Sequence, residues 1–351
     1  PDFEQKLLLE NSNVSLANLD VLRKNPDLLN EWLKGNGFRE NLKEKTPRIF
    51  TPGIAQESPH IGILNISDGC LDACSFCSTR LVKGKHRSVS PEKIFSEAKR
   101  YLENGCKELW LTGQDTSCYG FDIGTNLAEL AKKILEQNSG DYKIRLGMGN
   151  PRHLEKYLDE MLSVYEDERI YKFIHLPVQS GSVSVLQAMG RKHNVDTFRK
   201  IAEAFISKFS YFTLSTDIIV GFPGETREDF EQTCKLISDL KPSICNITRF
   251  VARPNTVAEK LPGKIPGKEQ HYRSATLSAL FQKIALENNI SREGKTARVL
   301  TEKSGHRNGT YIARDEAYRT IALKGNYKPG TWLNVQIEKA ETFALLAKEV
   351  L

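Results

Sequence analysis

Six short apolar runs, rich in β-branched residues, alternate with helical patterns between residues 60 and 290, and this alternation restricts the possible folds most strongly. The runs occupy residues 61–66, 108–112, 143–147, 172–178, 213–220 and 244–251. We interpret each run as a strand that is buried on both faces. The intervening segments carry helix N-cap residues such as Ser90 and Thr226. We therefore predict a parallel α/β fold, for which a doubly wound sheet and an incomplete six-unit barrel fit equally well.

A second pattern begins after a helical stretch predicted at about residues 268–289. Five short runs of alternating polarity follow, separated by glycine-containing turns. This predicts a small five-stranded β-barrel, a size common among nucleic-acid-binding modules. The chain accordingly divides into an N-terminal segment at residues 1–59, a core at 60–290 and a C-terminal domain at 291–351.

The charge of the chain is compatible with an anionic partner but does not require one. The formal net charge is +6, and residues 291–351 contain 11 Lys or Arg against 7 Asp or Glu. No apolar run approaches the roughly 20 residues of a membrane span, and the first residues do not resemble a signal peptide. We therefore predict a cytoplasmic protein without a membrane partner.

Three of the seven cysteines, Cys70, Cys74 and Cys77, lie together directly after the first predicted strand. Their spacing allows one loop to present three thiolates to a 4Fe-4S cluster and to leave the fourth iron without a protein ligand. Folds of this class place active sites at the carboxyl end of such strands. Zinc is an alternative that needs a fourth ligand, for which His86 is the nearest candidate, and a cysteine trio without metal is another.

The spacing Cys-x3-Cys-x2-Cys at this position resembles the signature of the radical S-adenosylmethionine (SAM) superfamily, and the resemblance covers residues 61 to about 260. It implies that the open iron binds SAM. By the same resemblance, Phe76 covers the cluster and the adenine, and Gln114 or Asp115 binds the SAM amino group. Gly221 would let the main chain approach the adenine closely.

Further strings narrow the resemblance to the methylthiotransferases. The strings lie at residues 175–182, 189–192, 216–226 and 249–256, and the last domain resembles the RNA-binding TRAM module. Residues 114–127, QDTSCYGFDIGTNL, resemble the archaeal and eukaryotic tRNA methylthiotransferases that act on N6-threonylcarbamoyladenosine beside the anticodon. Two alternatives are a methylthiotransferase acting on an aspartate of a ribosomal protein and a non-catalytic TRAM-type RNA-binding protein.

The family resemblance also implies a mechanism. One SAM donates a methyl group to sulfur, and a second supplies the radical that removes hydrogen from adenine C2 before the methylthio group is transferred. An aromatic C–H offers no acidic proton to a base, so a cofactor radical is needed. The side chains expected to position SAM or the adenosine are His175, Gln179, Ser180, Arg191 and Asp217. The expected partners are tRNA, an electron donor and a sulfur source, the last two unidentified.

Residues 1–59 depart from the family pattern. Family members carry an N-terminal domain with three further cysteines that hold an auxiliary 4Fe-4S cluster, whereas residues 1–59 contain no cysteine. We interpret this segment as a remnant of that domain followed by a linker. The expectation is one cluster in this chain and a second in the full-length protein.

Overall fold

The computed structural model describes residues 59–305 and 308–350, so the interpretation of residues 1–58 lies outside the described part. Besides a short antiparallel ribbon of Ser67–Asp68 and Arg87–Ser88, the described core contains six strands: β1 Ile61–Asn65, β2 Glu108–Thr112, β3 Lys143–Leu146, β4 Phe173–His175, β5 Thr213–Val220 and β6 Ile244–Arg249. They form two parallel sheets, β1-β2-β3 and β4-β5-β6, connected by a bridge between Ile144 and Ile170. Within the described residues β6 and β1 do not pair, so the structure is the incomplete barrel and not the doubly wound sheet.

Helices connect these strands and follow the last of them. They are α1 Thr79–Lys83, α2 Pro91–Glu103, α3 Leu127–Gln137, α4 Pro151–Leu154, α5 Leu158–Val164, α6 Val183–Ala188, α7 Val195–Lys208, α8 Arg227–Leu240 and α9 Gly267–Ile290. The N-cap predicted at Thr226 is confirmed, since its hydroxyl accepts the Asp229 N–H and the Asp229 carboxylate accepts the Thr226 N–H. None of the helices in the described residues is long and apolar enough to cross a bilayer.

The prediction that every strand is buried on both faces is wrong for the inner face of the half-barrel. Gly62 faces α2, where a side chain would meet Tyr101, so the neighbouring Ile63 points to the opposite, inner face. Ile63 is 47% exposed, and β6 also carries several exposed residues. Because β1 and β6 do not pair, the half-barrel is open on one side, and the lumen between the two sheets is accessible from that side.

The C-terminal segment forms the predicted closed five-stranded barrel. Its strands are β7 Thr296–Ser304, β8 Thr310–Arg314, β9 Thr320–Lys324, β10 Trp332–Ala340 and β11 Leu345–Glu349, in the order β8-β9-β11-β10-β7. Alternate residues of these strands fill the interior, among them Val299, Ile321 and Val335. The period-2 pattern in the sequence reflects this division between an apolar interior and a solvated surface.

The turn between β8 and β9 closes the amino-terminal end of the lumen. Tyr318 packs against Tyr171 and Phe173, with ring centroids 4.8 and 5.3 Å apart. The turn is fixed by the buried Asp315, whose carboxylate accepts hydrogen bonds from Tyr211 Oη and from the Arg319 N–H. The lumen therefore has a floor of aromatic side chains contributed by both domains.

Glu108 lies at this floor and should make stability depend on pH. Its carboxylate accepts a hydrogen bond from the Trp110 indole, but burial dominates and raises the pKa of Glu108 from 4.5 to about 7. The folded state thus holds the proton more tightly than the unfolded state does. As the pH rises from 4.5 to about 7, we expect this group to lower the free energy of unfolding by up to about 1.4 kcal/mol per pH unit.

Urea unfolding of the wild type and Glu108→Gln across this pH range tests the expectation. Buried histidines change stability in the opposite direction, because burial lowers the pKa of His193 to about 3. The difference between the two proteins isolates Glu108 from these groups. It should grow in favour of Glu108→Gln as the pH rises to about 7 and then level off. A constant difference would contradict the prediction.

Candidate active site

The cysteine loop follows β1 at the carboxyl end of the half-barrel. Gly69 has a φ of 75°, and a side chain at this position would collide with the carbonyl of Lys85, so the turn into the loop requires glycine. The Cys70 N–H then donates to the Gly84 carbonyl at 3.2 Å. These contacts fix the direction in which the chain leaves the strand.

Ser75 anchors the middle of the loop to two distant segments. Its N–H donates to the Met189 carbonyl at 2.8 Å, and its hydroxyl donates to the Ala188 carbonyl at 2.8 Å. The Ser75 carbonyl accepts the Ala258 N–H, also at 2.8 Å. The loop that bears the thiols is therefore positioned by the residues after α6 and after β6.

The three thiols are partly buried and free, and their surroundings suit thiolates bound to iron. Burial raises the pKa of Cys70 to about 11, and burial also raises the pKa of Cys74, although the nearby Arg191 opposes the effect. Arg191 Nη1 lies 3.6 Å from Cys74 Sγ, and the Thr79 N–H donates to Cys77 Sγ at 3.5 Å. Bound iron would replace the proton that burial otherwise retains, and these donors would stabilise the iron-bound sulfurs.

The thiols suit a cluster better than a single ion. Within the described residues, no group of three His, Cys, Asp or Glu side chains could hold one metal ion. The three thiolates of a 4Fe-4S site bind three different irons and lie farther apart than ligands of one zinc. His86, the predicted candidate for a fourth zinc ligand, instead contacts Ser88 and Cys118, at 3.1 and 3.4 Å.

Asp72, inside the cysteine loop, is a site residue that the sequence analysis missed. Its Oδ1 lies 2.5 Å from Arg152 Nη1, and its Oδ2 accepts a hydrogen bond from Asn150 Nδ2 at 2.7 Å. These bonds connect the cysteine loop to the start of α4, about 80 positions away in sequence. An acidic residue between cluster cysteines was the available signal, but it did not identify the partners.

Gln114 and Asp115 follow β2 and have different surroundings. Asp115 Oδ1 accepts hydrogen bonds from the N–H and the hydroxyl of Ser117, at 3.0 and 2.5 Å, so this oxygen caps the following turn. Gln114 Oε1 is buried and, among the described residues, has no hydrogen-bond partner. A buried acceptor without a partner suits a ligand that donates, such as the SAM amino group. Asp115 Oδ2 is likewise buried and has no hydrogen-bond partner among the described residues, so Gln114 and Asp115 both stay candidates for this position.

His175, Asp217 and Asn246 form a hydrogen-bonded row across β4, β5 and β6. Asp217 Oδ1 lies 3.0 Å from His175 Nε2 and accepts a hydrogen bond from Asn246 Nδ2 at 2.8 Å. Burial opposes ionisation of Asp217, yet these bonds hold the pKa of its carboxyl below the usual range. The structure thus brings the predicted residues His175 and Asp217 together, and it adds Asn246, which the sequence analysis did not single out.

Gln179 and Ser180 shape the segment after β4. Gln179 has a φ of 77°, an uncommon conformation for a residue with a side chain, and its N–H donates to the Asp217 carbonyl at 2.8 Å. Ser180 is fully buried, with its hydroxyl 3.3 Å from Thr233 Oγ1 and accepting the Ser182 N–H. The Ser180 hydroxyl therefore contacts α8 and its own segment, whereas Gln179 lies at a strained backbone position beside the His175–Asp217–Asn246 row.

Gly221 follows β5 with a φ of 74°, and a Cβ there would lie 2.5 Å from Gln270 Cγ. Its N–H donates to Glu225 Oε2 at 2.6 Å, and Glu225 forms a buried ion pair with Arg273 at 2.7 Å. This ion pair fixes the loop predicted to meet the adenine and was not identified from the sequence. Its two members are 48 residues apart.

Phe76 lies on an apolar cluster formed by loops at the same end of the half-barrel. It packs against a set that includes Phe222 and Phe250, whose rings are 5.1 Å apart. The predicted aromatic therefore lies between the cysteines and the loop of Gly221. This placement is compatible with its expected contact with the adenine.

Comparison with known proteins agrees with this architecture. The Radical SAM superfamily model matches residues 64–237, and the TRAM domain model matches residues 291–350. Proteins of Pyrococcus horikoshii and Archaeoglobus fulgidus, both named "Probable threonylcarbamoyladenosine tRNA methylthiotransferase", are 42 and 44% identical over 87 and 79% of this chain. The human threonylcarbamoyladenosine tRNA methylthiotransferase is 32% identical over 89% of it.

The chain spans 71, 65 and 55% of the lengths of these three relatives, respectively. The two family models cover the cysteine loop with most of the half-barrel and the five-stranded barrel. Given this extent of similarity and the order of the two domains, the chain belongs to the threonylcarbamoyladenosine tRNA methylthiotransferase family of radical SAM proteins.

Proposed function

We propose that this protein adds a methylthio group to C2 of N6-threonylcarbamoyladenosine beside the anticodon of tRNA. The observation that carries the proposal is the loop of three partly buried thiols at the carboxyl end of an open half-barrel. The names of the relatives support the choice of RNA substrate. A non-catalytic RNA-binding protein would need the C-terminal barrel but neither the thiols nor the open lumen.

Cys70, Cys74 and Cys77 would hold the 4Fe-4S cluster, and the bound cluster supplies the electron that cleaves SAM to a 5′-deoxyadenosyl radical. Arg191 stabilises the thiolate of Cys74 and holds the loop through its bond to the Pro177 carbonyl, at 2.9 Å. Gln114 Oε1 and Asp115 Oδ2 would accept hydrogen bonds from the SAM amino group. These residues fix SAM relative to the lumen.

Residues of the second sheet orient the adenosine. In the His175–Asp217–Asn246 row, Asp217 holds the His175 ring and the Asn246 amide in place, and their remaining polar atoms can contact the base or ribose. The main chain at Gly221, held by Glu225, would contact the adenine of SAM, with Phe76 beside it. The protein thus contributes orientation and shielding, because the radical carries out the difficult chemistry.

The division into residues 1–59, 60–290 and 291–351 is part of the proposal. The last domain would bind the tRNA, mainly through phosphates, so that affinity falls strongly with salt. An electron donor, a sulfur source and a second cluster would complete the reaction. The reaction would take place in the cytoplasm.

Transfer of deuterium from the substrate tests this function without requiring sulfur insertion. The anaerobically reconstituted protein is incubated with SAM, dithionite and an anticodon stem-loop that carries N6-threonylcarbamoyladenosine deuterated at C2. We expect mass spectrometry to detect the deuterium in 5′-deoxyadenosine. The same stem-loop deuterated at C8 is the control and should give unlabelled product. Formation of 5′-deoxyadenosine without label from C2 would contradict the proposal.

A further inference from the structure

Arg145 lies in the lumen without a polar partner. It is the register partner of Trp110, which is the partner of Ile63, so all three side chains share the inner face of the first sheet. Among the partly buried arginines within residues 59–305 and 308–350, Arg145 is the one that forms no hydrogen bond and no ion pair. Such a guanidinium is unusual, because buried charges are normally paired.

Aromatic rings surround the guanidinium without using its N–H groups. Arg145 Cζ lies 5.3, 5.1 and 5.0 Å from the ring centroids of Trp110, Phe173 and Tyr318. Contacts with ring faces do not use the N–H donors, which lie in the plane of a guanidinium, and the Arg145 Nε is buried without a hydrogen-bond partner. Arg314 provides a contrast, since it also stacks on Tyr318 but donates to Glu302 at 3.0 Å.

Arg145 is accessible from the open side of the half-barrel and lies nearer to the floor of the lumen than the residues expected to contact SAM and the adenosine. Ile63, at the same level on β1 two strands away, is 47% exposed, so a ligand can reach this depth from the open side. Phe173 lies two residues before His175 on the same face of β4, and Trp110 lies four residues before Gln114. Arg145 therefore lies between the floor of the lumen and the row that orients the adenosine.

We propose that Arg145 binds the carboxylate of the threonylcarbamoyl group and so determines the specificity for the modified adenosine. This inference rests on the proposed function. When C2 of the adenine faces the cysteine loop, the N6 substituent can extend toward the floor of the lumen. In N6-threonylcarbamoyladenosine this substituent ends in a carboxylate. Arginine can bind a carboxylate through two parallel N–H···O bonds, and the aromatic walls exclude water and strengthen them.

Binding of matched stem-loops to Arg145→Gln tests the inference. The ligands are an anticodon stem-loop with N6-threonylcarbamoyladenosine, the same RNA with unmodified adenosine, and the same RNA with the carboxylate blocked as a methyl ester. We expect Arg145→Gln to weaken binding of the acid by about 10- to 100-fold and to leave the other two RNAs within about 2-fold. Arg145→Lys should recover part of the loss, and Arg227→Gln, an exposed substitution, should have no effect.

The results separate the inference from the function on which it rests. If the wild type does not prefer the acid over unmodified RNA, the proposed substrate is wrong. If the wild type shows the preference and Arg145→Gln retains it, the inference alone is overturned. Equal weakening for all three RNAs would also overturn it, because Arg145 would then act on the fold. Weaker SAM binding in the variant would overturn it as well, because Arg145 would then bind the SAM carboxylate. Thermal denaturation of each variant confirms that the protein tested is folded.

Discussion

Replacing Cys74 by alanine is expected to remove the cluster and to reduce 5′-deoxyadenosine formation to background. The three thiols occupy one loop, and a loop with two thiolates cannot provide the three protein ligands that leave one iron open. The measurements are iron content and visible absorbance after anaerobic reconstitution, followed by chromatography of the products of SAM and dithionite. The wild type should be brown and contain about four irons per chain.

Cys234→Ala is the matched control for this experiment. Cys234 is also a free, partly buried cysteine, but it lies in α8 away from the loop. The control should retain the iron and the activity. A Cys74→Ala protein that still binds about four irons and cleaves SAM would exclude this loop as the cluster site. A colourless wild type that binds zinc would do the same.

Arg273→Met is expected to destabilise the protein by about 3–5 kcal/mol, the usual effect of leaving one member of a buried ion pair without its partner. The side chains of Arg273 and Glu225 are only 6 and 1% exposed. Burial already raises the pKa of Glu225, and Arg273 opposes that rise. Without the arginine, the carboxyl is either charged and unpaired or protonated, and both states weaken the loop of Gly221. Urea unfolding measures the loss.

A second substitution distinguishes the unpaired charge from a simple loss of packing. Arg273→Met combined with Glu225→Gln removes both charges and should recover a substantial part of the stability. Arg199→Met, which breaks the more exposed pair with Asp239, should cost no more than about 1 kcal/mol. If the double variant is as unstable as Arg273→Met alone, the packing of the arginine side chain is the main contribution.

The sequence predicted the strands well because each is a local apolar pattern. The boundaries of β2 and β5 agree with the predicted residues, and β4 is shorter than the predicted run 172–178. Closure of the sheet could not be predicted, since it depends on whether the strand edges pair, and side-chain periodicity does not record that. For the same reason, the exposure of Ile63 came only from the structure.

Site residues were predictable where the chemistry is local in sequence. Cys70, Cys74 and Cys77 occupy one loop, and their spacing carries the information. Bonds between segments could not be predicted in this way, such as those of Asp72 with Arg152 and of Glu225 with Arg273. Each of these residues is individually an ordinary charged residue, and only the fold brings the pairs together.

The floor that Tyr318 and its neighbours form at the amino-terminal end makes the half-barrel a blind-ended chamber. Molecules cannot pass through it from one end to the other. A nucleotide, a SAM molecule and their products must all use the same open side and rim. Ligands must therefore enter and leave the chamber one after another. A tRNA bound over the opening would prevent release of the SAM molecule that had entered before it.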